Sequence, residues 1–432
     1  MLNSIIRLSV ISVVISLVFG QLDNIDPTHI IKFKTSVTRN AANNILLSHH
    51  RNFLSSVRQI AEMDNPNEFS AAAAEDVMSL DHINLGPDFV AVAGTFSDHA
   101  FLEYLDKQVT IDYVEQNSIF KSTTIRPRKD EEDDGEEEKV YKKEAVNRVR
   151  SRASNWGLAR INSHQRGNLE EYEFDTMGGS GIDVFVLDTG VYAEHLDFDG
   201  RATHSANMIR NEDSRDMGGH GTHVSGKIVG TEYGVAKRAN IRSVKILNKV
   251  GDGSTSSLLK GIEHVIKYAV PGKSVVNLSL SGPKSRLLDE ALNSLVLQHN
   301  VPVFVSAGNA GTDACFFSPS SNENVFAVGA ININDAVPQY SNVGECVNIY
   351  APGSNIVSAY IGGSDSSKSM DGTSMASPHV AGIAANLMSK NNYDTAHQVY
   401  EAIRMLATKD SVQFDSSKSS SPNNNLLAFN EI

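Results

Sequence analysis

Short, almost continuous apolar runs recur from about residue 155 onward and are separated by segments of helical periodicity. The runs lie at 182–187, 241–247, 275–280, 301–307, 325–328 and 347–350, and the clearest helical patterns lie at 256–270 and 285–299. Apolar runs without alternation are typical of parallel strands covered on both faces. Strands that alternate with helices therefore predict an α/β fold, a parallel sheet flanked by helices, whose functional residues gather at the carboxyl ends of the strands.

The first part of the chain shows a different pattern. Strand-like segments at 30–33, 89–96 and 109–115 alternate with helical patterns at about 40–62 and around Phe101, Leu102 and Leu105, the second capped by Ser97. Strands and helices in this order are typical of a split βαβ unit. We therefore expect a small ferredoxin-like α+β domain within residues 21–121, ahead of the larger α/β domain.

Residues 1–20 have the composition of a targeting segment. Arg7 precedes an apolar stretch at 8–19, and Val18 and Gly20 suit a cleavage site after Gly20. A membrane anchor is the alternative, but serines interrupt a run that is shorter than the ~20 residues a span needs. The pattern favours a cleaved signal peptide.

A charged segment separates the two predicted domains. Eight of the nine residues from 130 to 138 are acidic, and a basic run of lysines and arginines at 139–152 follows. A block of like charge repels itself and buries nothing, so residues 122–152 are predicted to be a solvated linker. The acidic part is most simply a spacer, whereas the basic part is either a spacer or a processing site. The larger domain is expected at 153–432.

Charge and cysteine content narrow the possible partners. The net charge of -13 argues against a nucleic-acid partner, although part of it lies in the acidic run. The two cysteines, Cys315 and Cys346, permit one disulfide on a secretory route, and two free thiols are the alternative. Neither they nor the histidines have zinc-site spacing.

Four polar residues stand where the predicted strands end or in glycine-rich turns. Asp188 follows the run at 182–187, Asn309 follows the run at 301–307, and His220 lies in a glycine-flanked turn. Ser374 lies between a Gly-Thr turn and a helix of small residues. Each alone has an ordinary reading: a helix cap, a turn residue, half of a metal pair with His223, or a loop-to-helix junction.

Together the four residues indicate nucleophilic catalysis. A serine hydroxyl becomes reactive when a histidine takes its proton, a carboxylate orients that histidine, and donors stabilise the oxyanion. All four groups are present in the chain order aspartate, histidine, asparagine, serine. Aspartate, histidine, serine is the order of subtilisin and differs from the orders of chymotrypsin and the α/β-hydrolases.

With these motifs the chain resembles the subtilisin-like serine proteases, and among them the proteinase K branch of fungal secreted and vacuolar enzymes. The matching stretches are Asp188-Thr189-Gly190-Val191, His220-Gly221-Thr222-His223, Gly372-Thr373-Ser374-Met375-Ala376-Ser377-Pro378 and Trp156-Gly157-Leu158-Ala159-Arg160-Ile161. The resemblance covers about residues 155–395. Residues 29–121 resemble, more weakly, the inhibitory propeptide of the family.

The resemblance implies a role for each of the four residues. Ser374 is the nucleophile, His220 the general base and Asp188 the group that orients it. Asn309 and the Ser374 backbone N–H form the oxyanion hole. The resemblance makes His223, Ser377 and His379 structural.

The resemblance also implies a cleft that binds an extended peptide by strand addition. The expected cleft residues are Ser279, Leu280, Ser281, Gly282, Gly251 and Gly253, with Ala307 and Gly308 lining the primary pocket. Small uncharged residues around that pocket imply a broad preference for apolar or aromatic side chains.

No cofactor is required by the implied chemistry, but a structural calcium is possible. Enzymes of the proteinase K type bind calcium through two backbone carbonyls, here those of Glu323 and Val325, and one aspartate. Asn348 stands at the aspartate position. Loss of that charge is expected to weaken the site, because calcium affinity follows ligand charge.

The resulting hypothesis is a secreted or vacuolar serine endopeptidase made as a preproenzyme. Its expected partners are protein and peptide substrates and its own propeptide as an intramolecular inhibitor, with no membrane contact after signal removal and a monomeric state. A kexin-like protease would need an acidic pocket and a further β-rich domain, which the 58 residues from 375 to 432 are too few to supply. A non-catalytic protein that keeps the fold is the remaining alternative.

Overall fold

The computed structural model of the protein describes residues 27–64, 80–96, 98–125, 142–145, 148–415 and 423–431. The chain divides into two compact units, one ending at Asn117 and one beginning at Ser118. The segments predicted as a signal peptide and as an acidic run lie outside the described residues. Within the described ranges, no helix has both the length and the apolar character needed to cross a membrane.

The smaller unit is an antiparallel sheet with two helices. Its elements are β1 (His29–Phe33), α1 (Arg39–Asp64), β2 (Leu80–Gly86), β3 (Phe89–Gly94), α2 (His99–Asp106) and β4 (Ile111–Gln116). The strand order is β2-β3-β1-β4. Apolar residues of both helices and of the sheet form one buried cluster, which includes Ile31, Leu46, Val92 and Phe101. This confirms the predicted ferredoxin-like arrangement.

Two details of the smaller unit differ from the prediction. Strand β2 was not expected, because its sequence mixes Asp81, His82 and Asn84 with its apolar residues and leaves no strong apolar run. Helix α2 is capped by Asp98, whose carboxylate accepts the N–H groups of Ala100 and Phe101. The predicted cap, Ser97, lies outside the described residues.

The larger unit contains the remaining elements, in chain order. They are β5 (Ile119–Ser122), β6 (Lys142–Ala145), β7 (Arg148–Arg152), α3 (Trp156–Arg160), β8 (Glu171–Asp175), β9 (Asp183–Asp188), β10 (Ala202–Asn207), α4 (His220–Val229), β11 (Asn240–Lys245), β12 (Asp252–Ser254), α5 (Thr255–Tyr268), β13 (Ser274–Leu278), β14 (Leu280–Ser281), α6 (Arg286–Asn293), β15 (Val303–Ser306), β16 (Phe326–Ile331), β17 (Ile349–Pro352), β18 (Ile356–Ala359), β19 (Ser367–Met370), α7 (Thr373–Lys390), α8 (Ala396–Leu406), β20 (Thr408–Lys409) and β21 (Leu426–Leu427).

The main sheet confirms the predicted α/β architecture. Its order is β10-β11-β9-β13-β15-β16-β17-β21-β20. Every neighbouring pair is parallel except β20 and β21. The six predicted apolar runs correspond to β9, β11, β13, β15, β16 and β17, and β13 and β16 are buried along their whole length. Burial on both faces explains why these runs lack alternation.

Helix α7 lies across this sheet and carries Ser374 near its first turn. It packs against β13, β15, β16, β17 and α4. Ala381, Ala384 and Ala385 are fully buried, which lets the helix approach its neighbours closely. Because nearly the whole helix is buried, its sequence shows small residues all round rather than one apolar face.

Both ends of the segment predicted as a linker are strands. Strand β5 belongs to a three-stranded sheet with β12 and β14, and β7 lies between β6 and β8 in another. The arginines of the basic run thus belong to an ordered sheet. A disulfide joins Cys315 and Cys346, whose Cα atoms lie 5.4 Å apart, which decides between the two possible states of these cysteines.

Candidate active site

Asp188 and His220 form a buried hydrogen-bonded pair at the carboxyl edge of the main sheet. Asp188 is the last residue of β9, and His220 is the first residue of α4. His220 Nδ1 lies 2.7 Å from Asp188 Oδ1. The carboxylate thereby holds the imidazole with Nδ1 protonated, which leaves Nε2 as the basic nitrogen.

The turn before His220 is organised by Asp216, a residue that the sequence analysis did not single out. Its carboxylate accepts the N–H groups of Gly218, Gly219 and Thr222 and the hydroxyls of Thr222 and Thr189. Gly219 adopts φ +86°, a conformation that favours glycine. An acid four residues before the histidine was the available signal, because an anion suits the start of a helix.

The electrostatic surroundings favour a protonated His220. Burial alone would lower its pKa, but the charge of Asp188, the hydrogen bond from Nδ1 and the more distant charge of Asp216 raise the pKa above its ordinary value. The raised pKa makes His220 a stronger base than a free imidazole.

The hydroxyl of Ser374 is buried at the start of α7 and does not bond to His220 in this structure. Ser374 Oγ donates to the carbonyl of Ser279 at 3.0 Å and also contacts the hydroxyl of Thr123 at 2.5 Å. His220 Nε2 is buried and has no hydrogen-bond partner among the described residues. The pair Asp188–His220 is therefore assembled, and the contact between His220 and Ser374 still has to form.

Asn309 offers a buried N–H donor next to Thr373, the residue before Ser374. Its Oδ1 accepts the backbone N–H and the hydroxyl of Thr373 at 3.0 and 2.8 Å. These contacts fix the amide so that Nδ2 points away from them, and Nδ2 has no partner in the part of the chain that the structure describes. Gly372 lies next to it: a Cβ there would be 3.1 Å from Asn309 Nδ2. A buried donor without an acceptor is costly and suits a site where charge develops.

The cleft leading to Ser374 is filled by strand β5 of the same chain. β5 runs antiparallel to β12 on one side, where Phe120 lies opposite Gly253, and to β14 on the other, where Lys121 lies opposite Ser281. The Ser122 N–H donates to the carbonyl of Gly251 at 2.9 Å. A chain segment is therefore bound through its backbone, by strand addition on both edges.

Beyond β5, the backbone of Thr123 lies next to Ser374. The Thr123 N–H donates to the carbonyl of Ser279 at 3.2 Å, and the Thr123 carbonyl accepts the Ser374 N–H at 3.3 Å. A Cβ on Gly372 would lie 2.2 Å from that carbonyl oxygen, so only glycine fits there. The chain then continues past the serine, where the Ile125 N–H donates to the carbonyl of Asp371 at 2.8 Å.

The structure brings most of the predicted cleft residues together. Those in contact with the segment in the cleft are Ser279, Leu280, Ser281, Gly282, Gly251 and Gly253. Ala307 and Gly308 follow β15 beside Asn309, where Ala307 is fully buried and Gly308 adopts φ +101°. A Cβ at Gly308 would lie 3.3 Å from Ser281 Oγ, so Gly308 adjoins the cleft without a described contact to the strand.

A cavity of about 520 Å³ opens beside His220. It is bordered by Ser122 and Thr124 of the segment in the cleft and by Lys249, Tyr360 and Lys368 of the larger unit. The structure therefore leaves open space next to His220.

The residues predicted to be structural, His223, Ser377 and His379, are buried and hydrogen-bonded. His223 Nε2 contacts the carbonyls of Ile356 and Lys368, and His379 Nδ1 contacts the carbonyl of Met375. Burial lowers the pKa of His223 to about 3 and lowers the pKa of His379 as well. Ser377 donates to Asn277 Oδ1 at 2.8 Å. None of these contacts involves Ser374 or the segment in the cleft.

One of the three expected calcium ligands is already engaged in a hydrogen bond. Asn348 Oδ1 accepts the Ala327 N–H at 2.6 Å. The described residues contain no group of three or more His, Cys, Asp or Glu placed to hold a metal. The neutral amide oxygen is engaged in holding β16, in keeping with a weakened site, and calcium binding by Glu323, Val325 and Asn348 stays a prediction.

The chain is similar to known proteins over the region that carries these groups. Residues 179–424 match the model of the Subtilase family. The "Subtilisin-like protease 1" of Pseudogymnoascus destructans is 42% identical over 275 residues, which are 64% of this chain and 67% of that protein. The "Subtilisin-like serine protease Cla h 9.0101" of Davidiella tassiana is 34% identical over 382 residues, 84% of this chain and 68% of that protein.

A solved structure shares the fold. It is described as the crystal structure of a cold adapted subtilisin-like serine proteinase and is 37% identical in sequence, with a TM-score of 0.60. The match covers 64% of this chain and 98% of that one.

Proposed function

The chain belongs to the subtilase family of serine endopeptidases, and we propose that Asp188, His220 and Ser374 are its catalytic triad. One observation carries this proposal. A peptide carbonyl, that of Thr123, lies on the Ser374 N–H beside the nucleophile and the unpartnered Nδ2 of Asn309. The arrangement resembles a bound substrate, with a peptide carbonyl on one of the two proposed oxyanion donors and the other donor still without an acceptor.

The proposed reaction begins when Ser374 Oγ leaves the Ser279 carbonyl and turns toward His220 Nε2. His220 takes the hydroxyl proton as Oγ attacks the substrate carbonyl carbon, and Asp188 stabilises the imidazolium. The N–H groups of Ser374 and of the Asn309 side chain hold the oxyanion. His220 then gives the proton to the leaving nitrogen, and a water activated by His220 hydrolyses the acyl-enzyme.

The proposed specificity is broad and directed to apolar or aromatic side chains. Strand addition binds a substrate through main-chain hydrogen bonds, which do not depend on its sequence, as in the pairing of β5 with β12 and β14. Ala307 and Gly308 are small and uncharged, so a side chain near them would be selected by shape and polarity. Placement of the chain in the proteinase K branch of the family rests on the Trp156–Arg160 segment and stays part of the proposal.

The chain is also proposed to be a zymogen. Residues 118–125 occupy the cleft that a substrate would use, so the uncut chain blocks its own active site. The preceding unit would then act as the inhibitory propeptide, and its removal would open the cleft. Secretion or delivery to a vacuole, signal cleavage, a monomeric state and action on protein or peptide substrates complete the proposal.

Hydrolysis of peptide amides by the processed chain tests the proposed function. We expect cleavage after large apolar residues to be fastest, and no cleavage by the Ser374→Ala protein, which is also expected to stay uncut. Equal hydrolysis by the Ser374→Ala protein would contradict the proposed nucleophile. A folded, processed chain without any hydrolysis would favour the alternative of a non-catalytic protein.

No cofactor takes part in this proposed chemistry. The thermal midpoint of the processed chain is expected to stay unchanged when millimolar calcium or excess chelator is added. A rise in the midpoint with calcium would instead support a structural ion.

A further inference from the structure

Two stretches of the chain are possible cleavage sites for maturation: the bond next to Ser374 and the basic run at 139–152, whose arginines lie at 148–152. The bond next to Ser374 lies over the serine, whereas the arginines at 148–152 are paired within a sheet. We propose that the chain cuts itself between Thr123 and Thr124, and that the extension that then begins at Thr124 stays on the mature enzyme, held by strand β7. This inference rests on the proposed function, because it needs an active Ser374.

The bond between Thr123 and Thr124 is the one presented to the nucleophile. The backbone of Ser122, Thr123 and Ile125 is bonded on both sides of it, at Gly251, Ser279 and Asp371. Only the Thr123 carbonyl accepts the Ser374 N–H among the hydrogen bonds of the described residues. A shift by one residue would point the next carbonyl away, because successive carbonyls of an extended chain alternate in direction.

Hydrolysis of this bond consumes one water molecule and needs no other reagent. Ser374 Oγ attacks the Thr123 carbonyl carbon, and its proton passes through His220 to the nitrogen of Thr124 as the C–N bond breaks. Water then cleaves the ester between Thr123 and Ser374. The products are a Thr123 carboxylate and a free amino group on Thr124.

The arginines at 148–152 lie in β7, the middle strand of a three-stranded sheet. β7 pairs antiparallel with β8, and each arginine lies opposite an acid: Arg148 opposite Asp175, Arg150 opposite Glu173, and Arg152 opposite Glu171. Arg150 also makes ion pairs with Glu173 and Glu171 at 3.4 and 3.9 Å. Opposite charges at facing positions stabilise a pair of strands and fix its register.

β8 in turn is anchored in the larger unit. Tyr172 is 1% exposed, and its hydroxyl donates to the carbonyl of Val235 and accepts from Asn430 Nδ2. Just after β7, the Ala153 N–H donates to the carbonyl of Glu170. A protease acting at the arginines would have to strip β7 from this sheet, because cleavage requires a free extended backbone.

N-terminal sequencing and intact mass of the processed full chain test the proposal. The expected product spans residues 124–432 and begins at Thr124. Thr123→Pro should slow the cut at least tenfold, because proline cannot donate to the Ser279 carbonyl. A chain with Arg148, Arg150 and Arg152 all changed to Gln should be cut at the same bond. A product beginning between residues 149 and 156, lost in that triple variant, would overturn the proposal.

A trypsin challenge provides a second readout in case the triple variant fails to fold. The mature wild-type chain should resist cutting at Arg150, and Glu171→Gln/Glu173→Gln protein should be cut there several-fold faster. Rapid cutting of the wild type at Arg150 would also overturn the proposal. Labelling by a fluorophosphonate distinguishes failure of this inference from failure of the proposed function. A labelled chain that is cut elsewhere, or a chain that stays uncut with β5 over Ser374, refutes only this inference. A chain that is cut but not labelled refutes the proposed function as well.

Discussion

Strands β5 and β7 stand at the two ends of the segment predicted as a linker, and they are held in different ways. Both are short and antiparallel, and both lie between two other strands. β5 places one buried side chain, Phe120, among otherwise exposed or partly exposed residues, and its contacts are mostly main-chain. β7 has no fully buried side chain, and its arginines face acids across the sheet.

The difference shows how one chain can separate a removable strand from a retained one. Main-chain pairing accepts almost any extended sequence, so the edges that hold β5 can later hold a substrate. Charge pairing in register accepts one partner, so it suits a strand that stays in place. The following predictions test that contrast, beginning with the largest effect.

Replacement of the base should leave the full chain uncut. In His220→Ala protein, Ser374 has no proton acceptor, and we expect self-cleavage and peptide hydrolysis to fall by a factor on the order of 10⁴ to 10⁶. Gel analysis of the conversion over days measures this. Far-UV circular dichroism and the thermal midpoint serve as controls for folding. Normal processing of His220→Ala protein would show that β5 is removed by another protease.

Loss of the Asn309 amide should slow turnover without weakening substrate binding. The donor acts on the oxyanion, so Asn309→Ala should lower kcat by about 10²–10³ and change KM little. Thr373→Val is the matched control, because it removes the hydroxyl contact to Asn309 Oδ1 but keeps the amide. An equal loss in both variants would show that the effect comes from the turn rather than from the donor.

The side chain of Phe120 should carry most of the sequence-dependent affinity of β5. A peptide of sequence 118–123 should inhibit the processed enzyme competitively, and its Phe120→Ala form should bind about 10- to 100-fold more weakly, since burial of such a side chain is worth roughly 1.5–3 kcal/mol. Ile119, which is 51% exposed, provides the control. Ile119→Ala should change the inhibition constant by less than about threefold. Equal changes in the inhibition constant for the two substitutions would mean that the burial of Phe120 does not set the affinity of β5.

The rate of self-cleavage should rise with pH through a midpoint above 6.5. His220 acts as a base when neutral, and its pKa in the uncut chain is raised by Asp188 and Asp216 against the effect of burial. At pH 6.5 more than half of the chains should carry a protonated His220 and be unreactive. Gel analysis of samples quenched at fixed times measures the rate of self-cleavage at each pH. A midpoint at or below 6.5 would mean that Asp188 does not hold the imidazolium as described.

The ion pairs of β7 should contribute least. Arg150 is partly exposed, so Arg150→Gln should lower the free energy of unfolding by about 0.5 kcal/mol, with a full range of roughly 0–1 kcal/mol. Urea unfolding of the processed chain measures it, with Arg166→Gln as a control on an exposed arginine that donates to Asn334. A loss above about 2 kcal/mol would show that β7 supports the whole unit rather than a local sheet.

The main sheet and the four polar residues could be predicted from the sequence because their signals are local. Apolar runs mark buried strands wherever they occur, and Asp188, His220, Asn309 and Ser374 stand in short motifs of their own. The roles of these residues in the reaction remain predictions. The disulfide could only be left open, because two cysteines are compatible with either state.

The features that the sequence did not predict depend on contacts between distant segments. β5 was assigned partly to the propeptide and partly to the linker, since only its partners β12 and β14 define it as a strand. β7 was taken for part of a solvated linker because the acids that neutralise its arginines lie about twenty residues further on, in β8. The hydrogen bond from Ser374 to the carbonyl of Ser279 likewise joins segments far apart in the sequence.

The site of covalent labelling by a fluorophosphonate tests the central claim most directly. Full chains carrying Thr123→Pro, which remain mostly uncut, and processed wild-type chains are treated in parallel, digested and analysed by mass spectrometry. We predict one adduct, on Ser374, in the processed chain, and little in the uncut chain whose cleft β5 fills. An adduct on another serine, or equal labelling of both forms, would contradict the account of Ser374 as a nucleophile masked by the chain's own strand.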